Sequence, residues 1–103
     1  MLLEIRTYTL HPGKRREFAA WFEDEVLPAM EEFGITIVGS FESIEDAEVF
    51  VYLRSFSDEA ERDRLTSAFY ASDVWKSGMR DKALDLEASY EVRSLRSTPR
   101  SRL

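Results

Sequence analysis

The chain of 103 residues contains no cysteine. Disulfides, thiolate metal sites and a cysteine nucleophile are therefore excluded. Histidine is nearly absent as well. His11 is the only one, and it lies in a strand-to-helix turn beside Pro12 with no identifiable partner. It reads as an exposed turn residue before a general base or an axial haem ligand, and a serine triad has no support. Basic charge is short. The formal net charge of −6 and a pI near 4.8 argue against nucleic acid or an anionic membrane surface as the main partner. Long apolar runs are missing, so no bilayer span is expected. Met1 leads into Leu3-Glu4-Ile5-Arg6 without the basic-then-apolar pattern of a secretory leader, which makes a cytoplasmic location the expectation. No phosphate-binding loop, dinucleotide fingerprint or nucleophile elbow is visible.

What is present is a rich set of rings, 13% aromatic within 44% hydrophobic content, enough for one globular domain. The expected domain is residues 1–96, with 97–103 as a basic tail carrying Pro99. Leu2 to Leu10 alternates as a strand and stops at His11-Pro12-Gly13. From Lys14 to Phe33, a stripe of Phe18, Trp21, Phe22, Val26, Ala29, Met30 and Phe33 has helical spacing. Pro28 should bend this helix, and Gly34 suits its left-handed stop, with Ile35 folding back toward Met30. Lys14, Arg15 and Arg16 open the helix and Glu31 and Glu32 close it, against its dipole, so burial rather than propensity must hold it. The three basic residues could hold a phosphate at the helix end, but they read first as exposed. Ile35–Phe41 and Val49–Phe56 pair as a hairpin. Ser57 and then Ser72-Asp73 open two further helical stretches, the first carrying surface pairs Asp58–Arg62 and Glu61–Arg64. Ser89–Leu95 is the last strand.

Strand, helix, strand, strand, helix pair, strand is the α+β order of a ferredoxin-like βαββαβ fold with a four-stranded antiparallel sheet. In that fold the helices cover one sheet face, and the other should be polar in a monomer. Here both sides are apolar. The third strand carries Val49, Val51 and Leu53 on one side and Phe50, Tyr52, Arg54 and Phe56 on the other. A second copy is the simplest cover. Two sheets face to face would enclose a space lined by Arg6, Tyr8, Ser40, Glu42, Tyr52 and Arg54, a dimeric α/β barrel.

The opening Glu4-Ile5-Arg6-Thr7-Tyr8-Thr9-Leu10 with Pro12-Gly13-Lys14 resembles the NIPSNAP family. So do Glu25-Val26-Leu27-Pro28, Phe50-Val51-Tyr52-Leu53-Arg54-Ser55-Phe56 and Phe69-Tyr70-Ala71-Ser72-Asp73-Val74-Trp75, four segments in the family's order. The family is similar to dimeric α/β-barrel proteins, which include small cofactor-independent monooxygenases and haem-degrading enzymes. The resemblance implies a dimer with a central cavity and implies no particular reaction.

The candidate site residues each read two ways. Arg6 and Arg54 suit a carboxylate ligand through their planar forks; equally, they could pair with Glu4 or Glu42 and hold the dimer. Tyr8, Tyr52, Phe56 and Trp75 could wall a flat pocket or simply pack a dimer core. Glu23, Asp24, Glu25, Glu31 and Glu32 fan around a helix, so no metal site is expected, and no cofactor is expected. Two functions stay open. One is a homodimeric small-molecule-binding protein, with cofactor-independent oxygenation or isomerisation of a small acidic or aromatic compound as its chemistry. The other is a non-catalytic dimerisation or interaction module.

Overall fold

The structure is a computed structural model describing residues 1–103. Four strands, β1 (Leu2–Leu10), β2 (Thr36–Glu42), β3 (Val49–Phe56) and β4 (Glu87–Arg96), form one sheet in the order β2-β3-β1-β4. Every pairing is antiparallel, so the α+β ferredoxin-like order is as expected.

The first helical arm runs through α1 (Arg15–Trp21), a wide turn at Phe22–Val26 and α2 (Leu27–Glu32). The bend expected at Pro28 is met by this wide turn, in which the Leu27 N–H reaches back five residues to the Phe22 carbonyl. Gly34 (φ +84°) ends the arm. Its N–H donates to the Glu31 carbonyl, and the Ile35 N–H donates to that of Met30 at 3.1 Å, the double closure of a glycine stop. Arg15 is not the exposed residue expected. It is half-buried and donates to the carbonyls of Ser43, Asp46 and Val49 at 2.8, 2.9 and 3.3 Å, tying the helix start to the β2–β3 turn.

The second arm holds α3 (Glu59–Ala71), a wide turn at Trp75–Met79 and α4 (Arg80–Leu86). Asp58, not Ser57, caps α3, its carboxylate accepting from the Glu61 N–H at 2.8 Å. Arg62 pairs with Asp63 and not with Asp58. Ser72 caps the next stretch by accepting from the Trp75 N–H at 3.3 Å. The stretch is not one continuous helix: Gly78 sits at φ +132°, which favours glycine and breaks it.

Both arms pack on the face carrying Leu2, Glu4, Tyr8, Phe50, Tyr52, Arg54 and Phe56, all buried. Phe18 meets Phe50 edge-on at 5.2 Å and Phe22 meets Tyr52 at 4.4 Å. The opposite face is bare. Leu3, Ile5, Val49, Val51 and Leu53 are partly exposed there, Phe41 and Leu95 largely so. This corrects the expected layout: the side with Arg6, Tyr8, Tyr52 and Arg54 lies under the chain's own helices, and the aliphatic side is open. The reason is complementarity, since an aromatic helix stripe packs best on the aromatic side of the strands. Strand β2 also departs from simple alternation. The register shifts between Ile37 and Gly39, so Ile37 and Ser40 share the helix side while Gly39 and Phe41 share the open side. The Phe41 ring lies over Gly39, where an added Cβ would come within 2.8 Å of it. No helix is long and apolar enough to cross a membrane.

Candidate functional site

The interior between helices and sheet is not filled completely. A cavity of about 290 Å³ remains, walled by Tyr8, Phe18, Trp21, Phe22, Val26, Met30, Tyr52, Tyr70, Trp75, Ala83, Leu84 and Tyr90, with Arg6, Arg80 and Glu87 as its charged groups. That volume is near the lower end of roughly 300–1,000 Å³ typical of small-molecule sites. It suits a compact ring with one or two polar groups.

A polar cluster floors it. Glu4, on β1 and buried, accepts from two guanidiniums at once. Arg54 donates through Nε at 3.0 Å and through Nη2, and Arg6 through Nη1 at 2.9 Å. Burial by itself would push the Glu4 carboxyl up, but Arg54 and Arg6 outweigh it and hold it below its ordinary value. Arg54 turns its third nitrogen, Nη1, to the Tyr70 hydroxyl at 3.1 Å and the Met30 sulfur at 3.9 Å. Arg6 donates through Nε to the Tyr8 hydroxyl at 2.8 Å, which shares a hydrogen bond with that of Tyr52 at 3.3 Å. Burial pushes both phenols up, Tyr52 furthest, so at neutral pH they serve as hydrogen-bond donors.

Arg6 Nη2 has no partner in the chain, and no fully buried side-chain nitrogen or oxygen lacks one. Nη2 is therefore not fully buried, and Arg6 is one of the residues lining the cavity. Two guanidiniums share one carboxylate, which leaves the cluster with one unit of positive charge. The site thus offers an anion the N–H groups of Arg6 Nη2 at one end, a phenol beside them and aromatic faces around them. Tyr8 stacks on Tyr52 at 5.6 Å and on Tyr90 at 5.7 Å. Tyr70 meets Trp75 edge-on at 5.1 Å.

Of the residues expected from sequence, Arg6, Tyr8, Tyr52 and Trp75 meet on this wall. Arg54 lies in the cluster behind it, and Phe56 packs on Arg54 at 5.8 Å from its guanidinium. Ser40 and Glu42 are not on the wall; Glu42 is exposed and pairs with Arg15 at 3.6 Å. Both arginines pair with Glu4 and neither with Glu42. Sequence reasoning missed Glu87, Tyr70, Tyr90 and Arg80. Glu87 follows the last helix with no loop between and offered no pattern that could mark it. Its carboxyl is pushed up to about 7 by burial, against an opposing pull from Arg6, and it has no hydrogen-bond partner. No group of three or more metal-ligating His, Asp or Glu side chains converges anywhere.

The sequence profile of the NIPSNAP family matches residues 3–102. The chain belongs to the NIPSNAP family. A NIPSNAP family protein of unknown function from Agrobacterium tumefaciens superposes with a TM-score of 0.90 at 27% identity, over 100% of this chain and 93% of that one. An uncharacterized NIPSNAP domain protein from Burkholderia xenovorans superposes at 0.89 and 20% identity, over 98% of both chains. An antibiotic biosynthesis monooxygenase shares the fold alone, at 0.71 and 14% identity over 96% of this chain and all of the other. No match is found among curated proteins. Two NIPSNAP-like segments of this chain, Phe50–Phe56 and Phe69–Trp75, meet at the cavity through Tyr52, Tyr70 and Trp75.

Proposed function

We propose that this NIPSNAP protein is a homodimer in which each subunit binds a small, flat, acidic aromatic molecule in the cavity between its helices and sheet. The observation that carries the reading is Arg6, a half-buried arginine with one unspent nitrogen on an otherwise aromatic wall. Hydrogen bonds to a charged group in such a setting contribute about 1.5–3 kcal/mol each. Arg6 would hold the carboxylate, whichever of the Tyr8 and Tyr52 hydroxyls does not donate to the other would donate to a second oxygen, and Trp75 with Tyr70 would flank the ring. The chemistry that suits this arrangement is cofactor-independent oxygenation or isomerisation, in which phenol donors stabilise charge developing on a ligand oxygen. The monooxygenase that shares the fold supports this by analogy only.

The test uses 2-naphthoate, followed by the fluorescence of Trp21 and Trp75, which both line the cavity. Saturable binding of one molecule per chain near neutral pH is expected. Folded dimers that bind none would favour the rival reading, a dimerisation module without a ligand.

The dimer rests on the bare sheet face, where Leu3, Ile5, Val51 and Leu53 stand beside exposed Phe41 and Leu95. An apolar patch of this kind in a small domain calls for cover, and a two-fold copy of the same face supplies it. Sedimentation of the native chain at micromolar concentration is expected to show dimers, and Leu53→Lys to give folded monomers. A monomeric native chain would refute the dimer.

A further inference from the structure

Glu87 stands out among the charged groups of the cavity because it is half-buried and nothing in the chain pairs with it, whereas Arg80, also unpaired, is exposed. It opens β4 directly after Leu86, which is fully buried and whose carbonyl accepts from the His11 N–H at 2.9 Å. It lies opposite Leu10, where the β1–β4 register shifts. These contacts anchor its backbone, and its side chain faces the same space as Arg6. We propose that Glu87 selects the charge of the ligand, so that the cavity takes an aromatic monoanion only together with a proton on Glu87. This rests on the reading of the cavity as an acid-binding site.

The argument is one of charge. The Glu4, Arg6 and Arg54 cluster carries one net positive charge. With Glu87 neutral, that charge is free for one anion, and the carboxyl O–H can donate to the ligand's second oxygen. With Glu87 ionised, the charge of that cluster is already offset, exposed Arg80 is the one uncompensated cation left, and an incoming carboxylate meets a like charge in a poorly solvated space. The other groups facing Glu87 do not do this work. Arg6 from β1 and Arg80 from α4 stay cationic. Tyr8 from β1, Tyr52 from β3, Tyr70 from α3 and Tyr90 from β4 are phenols, and α1 and α2 present only apolar side chains. His11 has an exposed side chain and touches this region through its backbone. Burial supports the same picture, since it pushes the carboxyl up to about 7.

The experiment is 2-naphthoate affinity as a function of pH, on the native protein, Glu87→Gln and, as a control, His11→Asn. The native Kd is expected to rise roughly tenfold between about pH 6 and pH 8, as proton-linked binding requires. In Glu87→Gln, Kd should stay near its low-pH value throughout, and His11→Asn should keep the native slope. The carboxyl-carbon NMR signal of Glu87 in the free native protein should titrate near neutrality, a readout that needs no variant. A native slope that persists in Glu87→Gln, or a flat native profile, would overturn this inference and leave the acid-binding reading standing. No binding by the native protein even at the acid end would overturn both.

Discussion

Replacing Glu4 with alanine is expected to cost about 3–5 kcal/mol of folding stability, the usual penalty for leaving a buried charge without its partner. Glu4 is 4% exposed and Arg54 1%. Without Glu4, Arg54 keeps only the Tyr70 hydroxyl and the Met30 sulfur, and Arg6 keeps only Tyr8. Two guanidiniums would then face each other in a poorly solvated interior. Set against the roughly 5–15 kcal/mol total for a domain of this size, the variant should be close to unfolding. The pH dependence follows in sign. Arg54 and Arg6 hold the folded Glu4 carboxyl below its ordinary value of 4.5. Its stabilising contribution is thus fully present above that value and is lost as pH falls through the lower, folded-state value. Urea midpoints by circular dichroism, at neutral pH and in acid, measure both effects. A loss below about 1 kcal/mol would mean that water screens the cluster as it would a surface pair.

Arg6→Met should behave in the opposite way, with little change in folding and a large loss of binding. Glu4 would keep both bonds from Arg54, and Tyr8 would keep Tyr52. The remaining Glu4–Arg54 pair has no net charge, so the cavity would lose both the free Arg6 nitrogen and the positive charge of the cluster. A lost charged hydrogen-bond donor of about 1.5–3 kcal/mol corresponds to roughly a 10- to 150-fold weaker Kd for 2-naphthoate. Arg6→Lys should recover only part of this, because a single ammonium cannot reproduce the planar set of nitrogens that reaches Glu4, Tyr8 and the ligand at once. Fluorescence titration beside sedimentation reads both properties. If the dimer dissociates while the intact chains still bind, Arg6 is structural and the ligand is held elsewhere.

Much of the fold was legible because local rules act on neighbours in the chain. The stop at Gly34, with Ile35 returning to Met30, follows from a glycine placed after a helical stripe. The two sides of β1 and β3 follow from alternation. Alternation cannot say which side the helices take. Alternation therefore puts Tyr8, Tyr52 and Arg54 on the space between two sheets, whereas Tyr8 and Tyr52 lie against Phe18 and Phe22, and Arg54 against Met30 and Tyr70. The shift at Val38 defeated alternation in β2, since one extra residue reverses the sides of everything after it. Glu87 carries no local signal at all. A carboxylate at a helix-to-strand junction reads as solvent-facing until the cavity beside it is known.

By itself the order of residues determined the element order, the helix stop and the NIPSNAP resemblance, and it put Arg6, Tyr8, Tyr52 and Trp75 among the candidates for one cavity wall. Each of these depends on spacing along the chain. Only the tertiary structure decided which sheet face is covered, that Glu4 joins both arginines, and that Glu87 stands unpaired in the same cavity as Arg6. Those depend on packing between segments far apart in sequence, where shape and charge complementarity choose among arrangements that local patterns leave equal.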